Sequence, residues 1–365
     1  MNLPSHVTAT CLGRELLPHS SDAAGCLVSR DHSIFRYRYS DGQLLRVCRL
    51  PPAADGMMAR LKDALARSPL RVRWFPGPGL EHVVSVDETT TLVVYDKIYV
   101  HRAESDGILA KAIAWKDSRP LYTPLRGGVA VHAISRKTYF GEYLNGRKLG
   151  VRVYRVDALR GQVEVCWNFS GDEAKHVHSI HYDRYRNRLW VCTGDLDHES
   201  AIYYTDDEFV TLHKLGGGDQ TWRAIALLFD EEGVEWGMDA GKDAPAEALN
   251  NIYRFEFSSG RRSVQATVGN PVYAACDLAD GTAVMATSFE PGRKQATPSE
   301  AALWWRGPDR RWQKLFALDF APSHRKRMSE YAHLLLPKGV MPSGSACFTP
   351  VNTQTHSCQL LKLSL

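Results

Sequence analysis

Short stretches of alternating apolar and polar residues, separated by turn-forming residues, recur along this chain. Residues 174–215 show the pattern best, with strands predicted at 176–182, 188–193, 201–204 and 209–213. Turn signals, including Gly194-Asp195 and Asp206-Asp207, separate these strands. Four short strands within about 40 residues are typical of one blade of a β-propeller.

A tripeptide recurs near the start of the strand-like runs. Its copies are His132-Ala133-Ile134, His178-Ser179-Ile180, Arg223-Ala224-Ile225, Tyr273-Ala274-Ala275 and Tyr331-Ala332-His333. The lead residues are 46, 45, 50 and 58 positions apart, a period that favours a propeller. Since the first strand of each blade lines the central funnel, the repeat predicts that the five lead side chains lie near one another. A turn or bulge at the strand start is needed to aim them at the funnel.

We therefore predict a single all-β domain over 1–365, a seven-bladed propeller, although the irregular spacing leaves six or eight blades open. The predicted blades cover 22–50, 82–118, 127–170, 174–215, 219–268, 271–318 and 331–365, the last together with the N-terminal strand. A short helix is predicted to interrupt the repeat at 55–68, where Asp55 can cap it and Met58, Leu61 and Leu65 share one face.

Composition narrows the functional classes. Lys and Arg number 45 against 41 Asp and Glu, so a net charge of +4 gives no support for nucleic-acid binding. No run approaches the roughly 20 apolar residues of a membrane helix, and no signal peptide is visible, so we expect a cytoplasmic protein with no membrane partner. The eight cysteines include no C-x-x-C pair and are interpreted as buried, reduced thiols. The oligomeric state stays open.

Over about 127–290 the chain resembles the sialidase-like propeller proteins with BNR repeats, or Asp boxes, which are often labelled glycosyl hydrolases. The residues that carry this resemblance are the segments 176–183 and 190–195 and a degenerate Asp box at 205–212 that lacks the Gly and Trp of the pattern. The resemblance implies a propeller in which the box is a turn between the third and fourth strands of a blade. Sialidases also use an Arg-Ile-Pro motif near the N-terminus, which this sequence lacks, so the resemblance supports the fold rather than sialidase activity.

The lead residues suit β-elimination on a uronic acid, and they are similar to the residue sets of propeller-fold polysaccharide and oligosaccharide lyases. Arg223 could neutralise the substrate carboxylate with two hydrogen bonds. A neutral imidazole, His132 or His178, could remove the proton at C5. Tyr273 or Tyr331 could protonate the departing oxygen. We therefore predict a carbohydrate-active enzyme acting on an acidic, uronic-acid-containing poly- or oligosaccharide.

Further candidates surround the predicted catalytic set. The expected substrate contacts are His82, Glu142, Asp195, Trp222, Asp239 and Glu290: four carboxylates at the ends of second strands, one imidazole and one indole that could stack on a sugar. No cofactor is assigned, but a divalent metal ion could be bound by His132, His176 and His178, because alternate residues of a strand share a face. The resemblance to propeller lyases implies the same, since some of them hold a metal with several histidines.

Two other interpretations stay open. Paired carboxylates such as Asp195 and Asp239 could hydrolyse a glycoside instead. Propellers also serve as non-catalytic scaffolds that bind glycans or proteins.

Overall fold

The computed structural model describes residues 9–51, 80, 82–117, 119–144, 149–322 and 329–365. The helix predicted at 55–68 lies outside these residues. Within them the chain forms 29 strands and one 3₁₀ turn, Gln220–Trp222. The all-β prediction is confirmed for this part of the chain.

The strands are short, and their bounds follow in chain order. The first nine are β1 (Ala9–Arg14), β2 (Leu17–Asp22), β3 (Gly25–Arg30), β4 (Ser33–Arg38), β5 (Leu44–Arg49), β6 (His82–Ser85), β7 (Thr90–Val94), β8 (Ile98–Arg102) and β9 (Lys111–Ala112). The next twelve are β10 (Val129–Val131), β11 (Thr138–Gly141), β12 (Val151–Asp157), β13 (Gln162–Phe169), β14 (His176–Asp183), β15 (Arg188–Gly194), β16 (Ala201–Thr205), β17 (His213–Gly217), β18 (Ala224–Phe229), β19 (Gly233–Met238), β20 (Asn250–Glu256) and β21 (Arg261–Gly269). The last eight are β22 (Val272–Leu278), β23 (Ala283–Thr287), β24 (Glu300–Arg306), β25 (Trp312–Asp319), β26 (His333–Leu335), β27 (Lys338–Met341), β28 (Ser345–Val351) and β29 (Gln359–Ser364).

These strands build a propeller of antiparallel sheets. Five sheets have four strands each, in the orders β6-β7-β8-β9, β10-β11-β12-β13, β14-β15-β16-β17, β18-β19-β20-β21 and β1-β29-β28-β26. The remaining sheet has nine strands, in the order β25-β24-β23-β22-β27-β2-β3-β4-β5. In the sheets that begin with β6, β10, β14 and β18, this first strand is innermost. Neighbouring inner strands such as β10, β14, β18 and β22 lie side by side.

The blade count differs from the prediction. Five four-stranded blades stand alone, rather than seven, because β2–β5 and β22–β25 belong to one nine-stranded sheet. The short strand β27 joins them by pairing in parallel with both β2 and β22. Strand β27 has only four residues, and they do not alternate between apolar and polar, so the strand could not be recognised in the sequence. Strand β1 pairs with β29, so the beginning and end of the described chain share a sheet.

In the blade predicted at 174–215, the first three strands are confirmed within one residue, and the fourth is misplaced. Strand β17 begins at His213 rather than at 209. Residues between β16 and β17 form a turn in which Asp207 Oδ1 accepts a hydrogen bond from the Thr211 amide at 2.8 Å. The carboxylate also accepts from the Thr211 hydroxyl at 2.7 Å, so this segment bends where apolar content had suggested a strand.

The core lies between the faces of adjacent sheets. Trp190 and Trp236 are fully buried there, and the Trp190 ring lies 5.6 Å from that of Phe229 in the next blade. Burying one large apolar side chain contributes about 1.5–3 kcal/mol, so contacts of this kind hold the blades together. All eight cysteines are free and six are buried. Within the described residues, no helix has the length and apolar character needed to cross a membrane.

Lys338, the first residue of β27, reaches across the middle of the propeller. Its Nζ donates to the main-chain oxygens of Gly127 at 3.0 Å and Val129 at 2.9 Å, and to that of Ile180. All three hydrogens of an ammonium group can therefore be used. The contact ties β27 to inner strands of two blades and places it beneath the cavity described next.

Candidate active site

A cavity of about 690 Å³ lies where the inner strands begin. That volume is within the range of roughly 300–1,000 Å³ that is usual for small-molecule sites. On the side of β14, β18, β22 and β26 its polar lining includes His178, Asp195, Arg223, Asp239, Lys242, Asp243, Tyr273, Glu290 and Tyr331. The sequence had predicted seven of these nine and placed His178, Arg223, Tyr273 and Tyr331 in its catalytic set.

Bulges at the starts of three inner strands aim these residues. The pairing register shifts between Val177 and Ser179 in β14, between Ala224 and Leu227 in β18, and between Val272 and Ala274 in β22. A bulge bends its strand and turns one side chain away from the regular alternation. The distortion that the sequence analysis required is therefore present in these three strands.

The most distinctive group at the cavity is a triad of His176, His178 and Asp195, of which His178 and Asp195 belong to the lining. The Nε2 atoms of the two histidines are 3.0 Å apart, and each lies close to Asp195 Oδ1, at 3.1 Å for His176 and 3.2 Å for His178. Both imidazoles are fully buried, and Asp195, which follows β15, is 9% exposed. The three atoms thus converge on one point.

The other nitrogen of each ring fixes its tautomer. His176 Nδ1 lies 3.2 Å from the carbonyl oxygen of Leu144, and His178 Nδ1 lies 3.1 Å from that of Ala224. A carbonyl can only accept, so each Nδ1 carries the hydrogen. Burial lowers the pKa of His178, which keeps this ring neutral at neutral pH. Its Nε2 therefore presents a lone pair toward Asp195.

Lone pairs that face one another at this distance repel unless a proton or a metal cation lies between them. The two imidazoles and the carboxylate form a group of three potential metal ligands. Adjacent ligands of an octahedral ion at about 2.1 Å lie roughly 3.0 Å apart, close to the spacing seen here. Ligating histidines also usually donate their second N–H to a carbonyl, as both do here. The donor set fits a divalent cation, with Asp195 in place of His132, which had been predicted as the third ligand.

Arg223 stands directly before β18 and is surrounded by carboxylates. Its Nη2 lies 3.0 Å from Asp195 Oδ1, its Nη1 2.9 Å from Asp243 Oδ1, and its Nε 3.4 Å from Asp239 Oδ2. The side chain is 6% exposed. These contacts occupy the guanidinium, so it is not open to a two-point clamp on a substrate carboxylate. Its charge instead balances the acidic groups around the triad.

Asp239 follows β19 and is 2% exposed. Its Oδ2 lies 3.7 Å from His178 Nδ1, whereas its Oδ1 has no hydrogen-bond partner among the described residues. Burial raises the pKa of Asp239 well above its ordinary value, although the charge of Arg223 opposes the shift. The wall of the cavity thus contains a buried carboxyl oxygen without a hydrogen-bond partner among the described residues.

Two phenols lie beyond Asp239 and have different partners. The Tyr273 hydroxyl donates to Glu290 Oε1, and Glu290 Oε2 accepts from the Lys242 amide at 2.8 Å. Burial raises the pKa of Glu290. By contrast, the Tyr331 ring has the ammonium group of Lys242 5.3 Å from its centroid. Burial raises the pKa of Tyr331, and the Lys242 charge opposes that rise.

Besides His176, which belongs to the triad, three predicted residues lie away from the cavity lining. His132 comes after β10 has ended, and its ring contacts Tyr182 at 5.0 Å between centroids. Tyr182 is four residues beyond His178 along β14. His132 therefore lies about one strand length away from the position beside His178 that the match between the tripeptides had predicted. His132 therefore cannot join the metal ligands or the catalytic set as predicted.

Glu142 and Trp222 serve the blades instead. Glu142 follows β11 as expected, but it is fully buried and pairs with Arg119 and with Arg152, whose Nη2 lies 2.9 Å from Glu142 Oε1. The Trp222 ring stacks on Trp236, with centroids 5.2 Å apart. Both are therefore corrected from substrate contacts to packing residues.

Sequence reasoning missed several lining residues. Tyr143 stacks on His176 with ring centroids 4.2 Å apart, and Lys175 Nζ lies 2.9 Å from Asp195 Oδ2. Lys242 and Asp243 stand in a loop after β19, where no repeat marks them. Lys175 stands directly before β14, as Arg223 stands directly before β18. This shared position was the one signal in the sequence that could have indicated Lys175 as a lining residue.

Comparisons with known proteins agree with the fold. No family model matches the sequence, and no curated protein gives a significant match, so the resemblance to BNR-repeat proteins receives no support. Among solved structures, an oligogalacturonate lyase from Vibrio parahaemolyticus is 11% identical, with a TM-score of 0.60 over 99% of this chain and 94% of that one. An oligogalacturonate lyase in complex with manganese is also 11% identical, with a TM-score of 0.60 over 99% of this chain and 91% of that one.

A third similar structure is that of U3-55K, 11% identical with a TM-score of 0.57 over the whole of both chains. At this level of identity the likenesses establish a β-propeller and nothing finer. The function has to be inferred from the residues of the cavity.

Proposed function

We propose that this protein binds an acidic oligosaccharide in the cavity and cleaves it by β-elimination beside a uronic acid. The main support is the triad of His176, His178 and Asp195, whose lone pairs converge next to Arg223. The likeness to oligogalacturonate lyases, one of them in complex with manganese, agrees with this choice of substrate class.

The triad would hold a divalent cation such as Mn²⁺. A bound divalent cation supplies positive charge that stabilises the negative charge developing on the uronate carboxylate. Lys175 and Arg223 hold Asp195 from two sides, at 2.9 and 3.0 Å, which fixes its carboxylate toward the two histidines.

Asp239 is our candidate for the base, in place of the histidines suggested by the sequence. Both ring nitrogens of His178 are engaged, with Ala224 on one side and with the triad on the other. Asp239 lines the cavity, and its buried Oδ1 has no such partner within the described chain. In its ionised form this carboxylate would accept the proton from C5 as the C4–C5 double bond forms.

Tyr331 is our candidate for the acid. The Tyr273 hydrogen is committed to Glu290, whereas Lys242 beside Tyr331 can donate to the phenol oxygen and leave the phenol hydrogen for the substrate. As the C4–O4 bond breaks, this hydrogen would pass to O4. One proton is taken and one is given, so the reaction needs no water and no redox partner.

The lyase proposal is tested with trigalacturonate in the presence of Mn²⁺. We expect products with a conjugated double bond that absorb in the ultraviolet, and loss of this activity in chelator. Proton transfer by a positioned side chain is worth about 10²- to 10⁴-fold, so Asp239→Asn and Tyr331→Phe should each lower kcat by such a factor. Tyr273→Phe is the matched control and should lose less.

Saturated products would instead indicate hydrolysis. That outcome disagrees with the site as described, because Asp195 is held by two histidines, Lys175 and Arg223 and is not open to act as one of two glycosidase carboxylates. Binding of the oligosaccharide with no product at all would identify a glycan-binding propeller.

A further inference from the structure

The wall of the cavity is electrostatically divided. Among the described lining residues the carboxylates are Asp195, Asp239, Asp243 and Glu290, and all belong to the blades that begin with β14, β18 and β22. The opposite wall comes from β2, β6 and the segment before β10. Its lining includes Leu17, Pro18, Val83, Val84, Pro124 and Leu125. A negative group of a ligand would be repelled less on this second, largely apolar wall.

Three nitrogen-bearing side chains stand in the apolar wall: Arg126, His82 and His19, whose Nε2 lies 2.7 Å from Ser29 Oγ. Arg126 lines the cavity and donates from Nη2 to the carbonyl oxygen of Pro18. His82, from β6, is 5% exposed, and its Nδ1 has no hydrogen-bond partner among the described residues. A buried polar atom without a partner costs about 1–3 kcal/mol, and a ligand could remove that cost.

Arg126 and His82 are close enough to influence each other. Burial and the Arg126 charge together lower the pKa of His82 to about 3. The same two causes lower the pKa of His333 to about 3, but both ring nitrogens of His333 are bonded, to Ser288 Oγ and Ser329 Oγ at 2.8 Å. His82 is therefore a neutral imidazole with a polar atom to offer, beside a guanidinium.

A guanidinium beside a neutral imidazole in an apolar wall is suited to a planar anion. Arginine recognises carboxylates through paired N–H donors, and such bonds are stronger where water is excluded. A uronide of two or more residues carries a carboxylate on every sugar. If one carboxylate lies at the triad, the next would need a second cationic contact.

We propose that Arg126 and His82 form a second carboxylate subsite, which holds the uronate residue next to the one that reacts. This inference rests on the proposed function for the identity of the ligand, but the anion-binding role of Arg126 can be tested without turnover. The site would give the protein a preference for substrates with consecutive uronic acids.

The binding test uses digalacturonate with a methylene bridge in place of the glycosidic oxygen, which cannot be eliminated, and its dimethyl ester. Isothermal titration with the Mn²⁺-loaded protein should show that Arg126→Gln weakens binding of the diacid by about 10- to 100-fold, the range for hydrogen bonds to charged groups. Binding of the ester should change less than about twofold. His82→Leu should weaken binding of the diacid by a smaller factor, and Arg126→Lys should retain part of it.

The matched control is Arg136→Gln. This arginine lies in the turn after β10, has a 58% exposed side chain and pairs loosely with Asp87 at 3.8 Å. It should bind both probes as the wild type does. Equal losses for diacid and ester in Arg126→Gln, or no loss for either, would overturn the subsite. Melting curves check that each variant is folded. If Arg126→Gln does not fold, Arg126→Lys takes its place in the binding test.

The results that would contradict the proposed function differ from those that would contradict the subsite. If the wild type releases no unsaturated product from trigalacturonate but Arg126→Gln still weakens the diacid selectively, the lyase proposal fails and the subsite stands. If the wild type is active and Arg126→Gln changes neither binding nor KM, the subsite fails and the lyase proposal stands.

Discussion

Replacing Asp195 by asparagine should remove most of the affinity for Mn²⁺ while keeping the shape of the side chain. The substitution replaces a charged ligand atom by a neutral one at a point 3.1 and 3.2 Å from the two imidazole nitrogens. Altering a group that merely supports a metal ligand costs about 10- to 100-fold in affinity, so loss of a charged ligand should cost at least about 100-fold.

The size of the thermal shift follows from this estimate. Manganese at 100 times its dissociation constant stabilises the folded state by about 2.7 kcal/mol. At about 2.1 cal/mol/K per residue, the unfolding entropy of 365 residues is roughly 0.8 kcal/mol/K, which gives a rise in Tm of about 3.5 °C. At the same concentration, a variant that binds 100-fold more weakly gains about 0.4 kcal/mol, or about 0.5 °C.

The assay is a melting curve with and without Mn²⁺, together with titration calorimetry for the dissociation constant. The shift is compared rather than Tm itself, because Asp195→Asn also removes the partner of Arg223 and Lys175. Asp243→Asn is the control, since Asp243 contacts Arg223 at 2.9 Å but lies outside the triad and is 45% exposed. A full shift in Asp195→Asn, or none in the wild type at any Mn²⁺ concentration, would refute the metal site.

Three further predictions concern stability. Arg223→Ala should destabilise the fold by about 3–5 kcal/mol in urea unfolding, because it leaves buried Asp239 and its neighbours without their counter-charge; an unchanged midpoint would contradict this. The pKa of His333 is about 3 in the folded protein, so between about pH 6.5 and 3 the unfolded chain binds more protons than the folded protein. As the pH is lowered from 6.5 to 5, the free energy of unfolding should therefore fall by up to about 2 kcal/mol per such histidine. His333→Gln should show a correspondingly weaker acid dependence, and equal slopes would argue against a neutral His333. Trp222→Leu should cost about 2 kcal/mol through lost packing on Trp236 and leave the affinity for digalacturonate unchanged; a selective loss of affinity would restore its predicted role in sugar stacking.

The repeat in the sequence predicted a large part of the site. His178, Arg223, Tyr273 and Tyr331 line one cavity because each stands at the start of an inner strand, where blade geometry brings equivalent positions together. His132 matches the same tripeptide, but β10 ends before it. Residue types repeat along a sequence, whereas strand register is set by pairing with a neighbour, and the tripeptide contains no information on that pairing.

Other features had no local signal. The lone pairs of the triad converge because β14 and β15 pair in a particular register, which brings Asp195 beside two histidines from the preceding strand. Arg126 and Lys242 lie in connecting segments, where side-chain positions depend on the whole ring. Glu142 was correctly placed at a strand end, but its direction was decided by Arg152 on β12, a partner that sequence spacing does not reveal.

The pairing of β1 with β29 has a consequence for biosynthesis. A ribosome releases β1 before β29, which follows more than 340 residues later, so the sheet that they share cannot be completed until β29 has emerged. Until then, β1 lacks its partner, and its exposed edge can pair with other chains. A version rearranged so that β1 follows β29 directly would complete this sheet from one continuous stretch and should aggregate less during refolding.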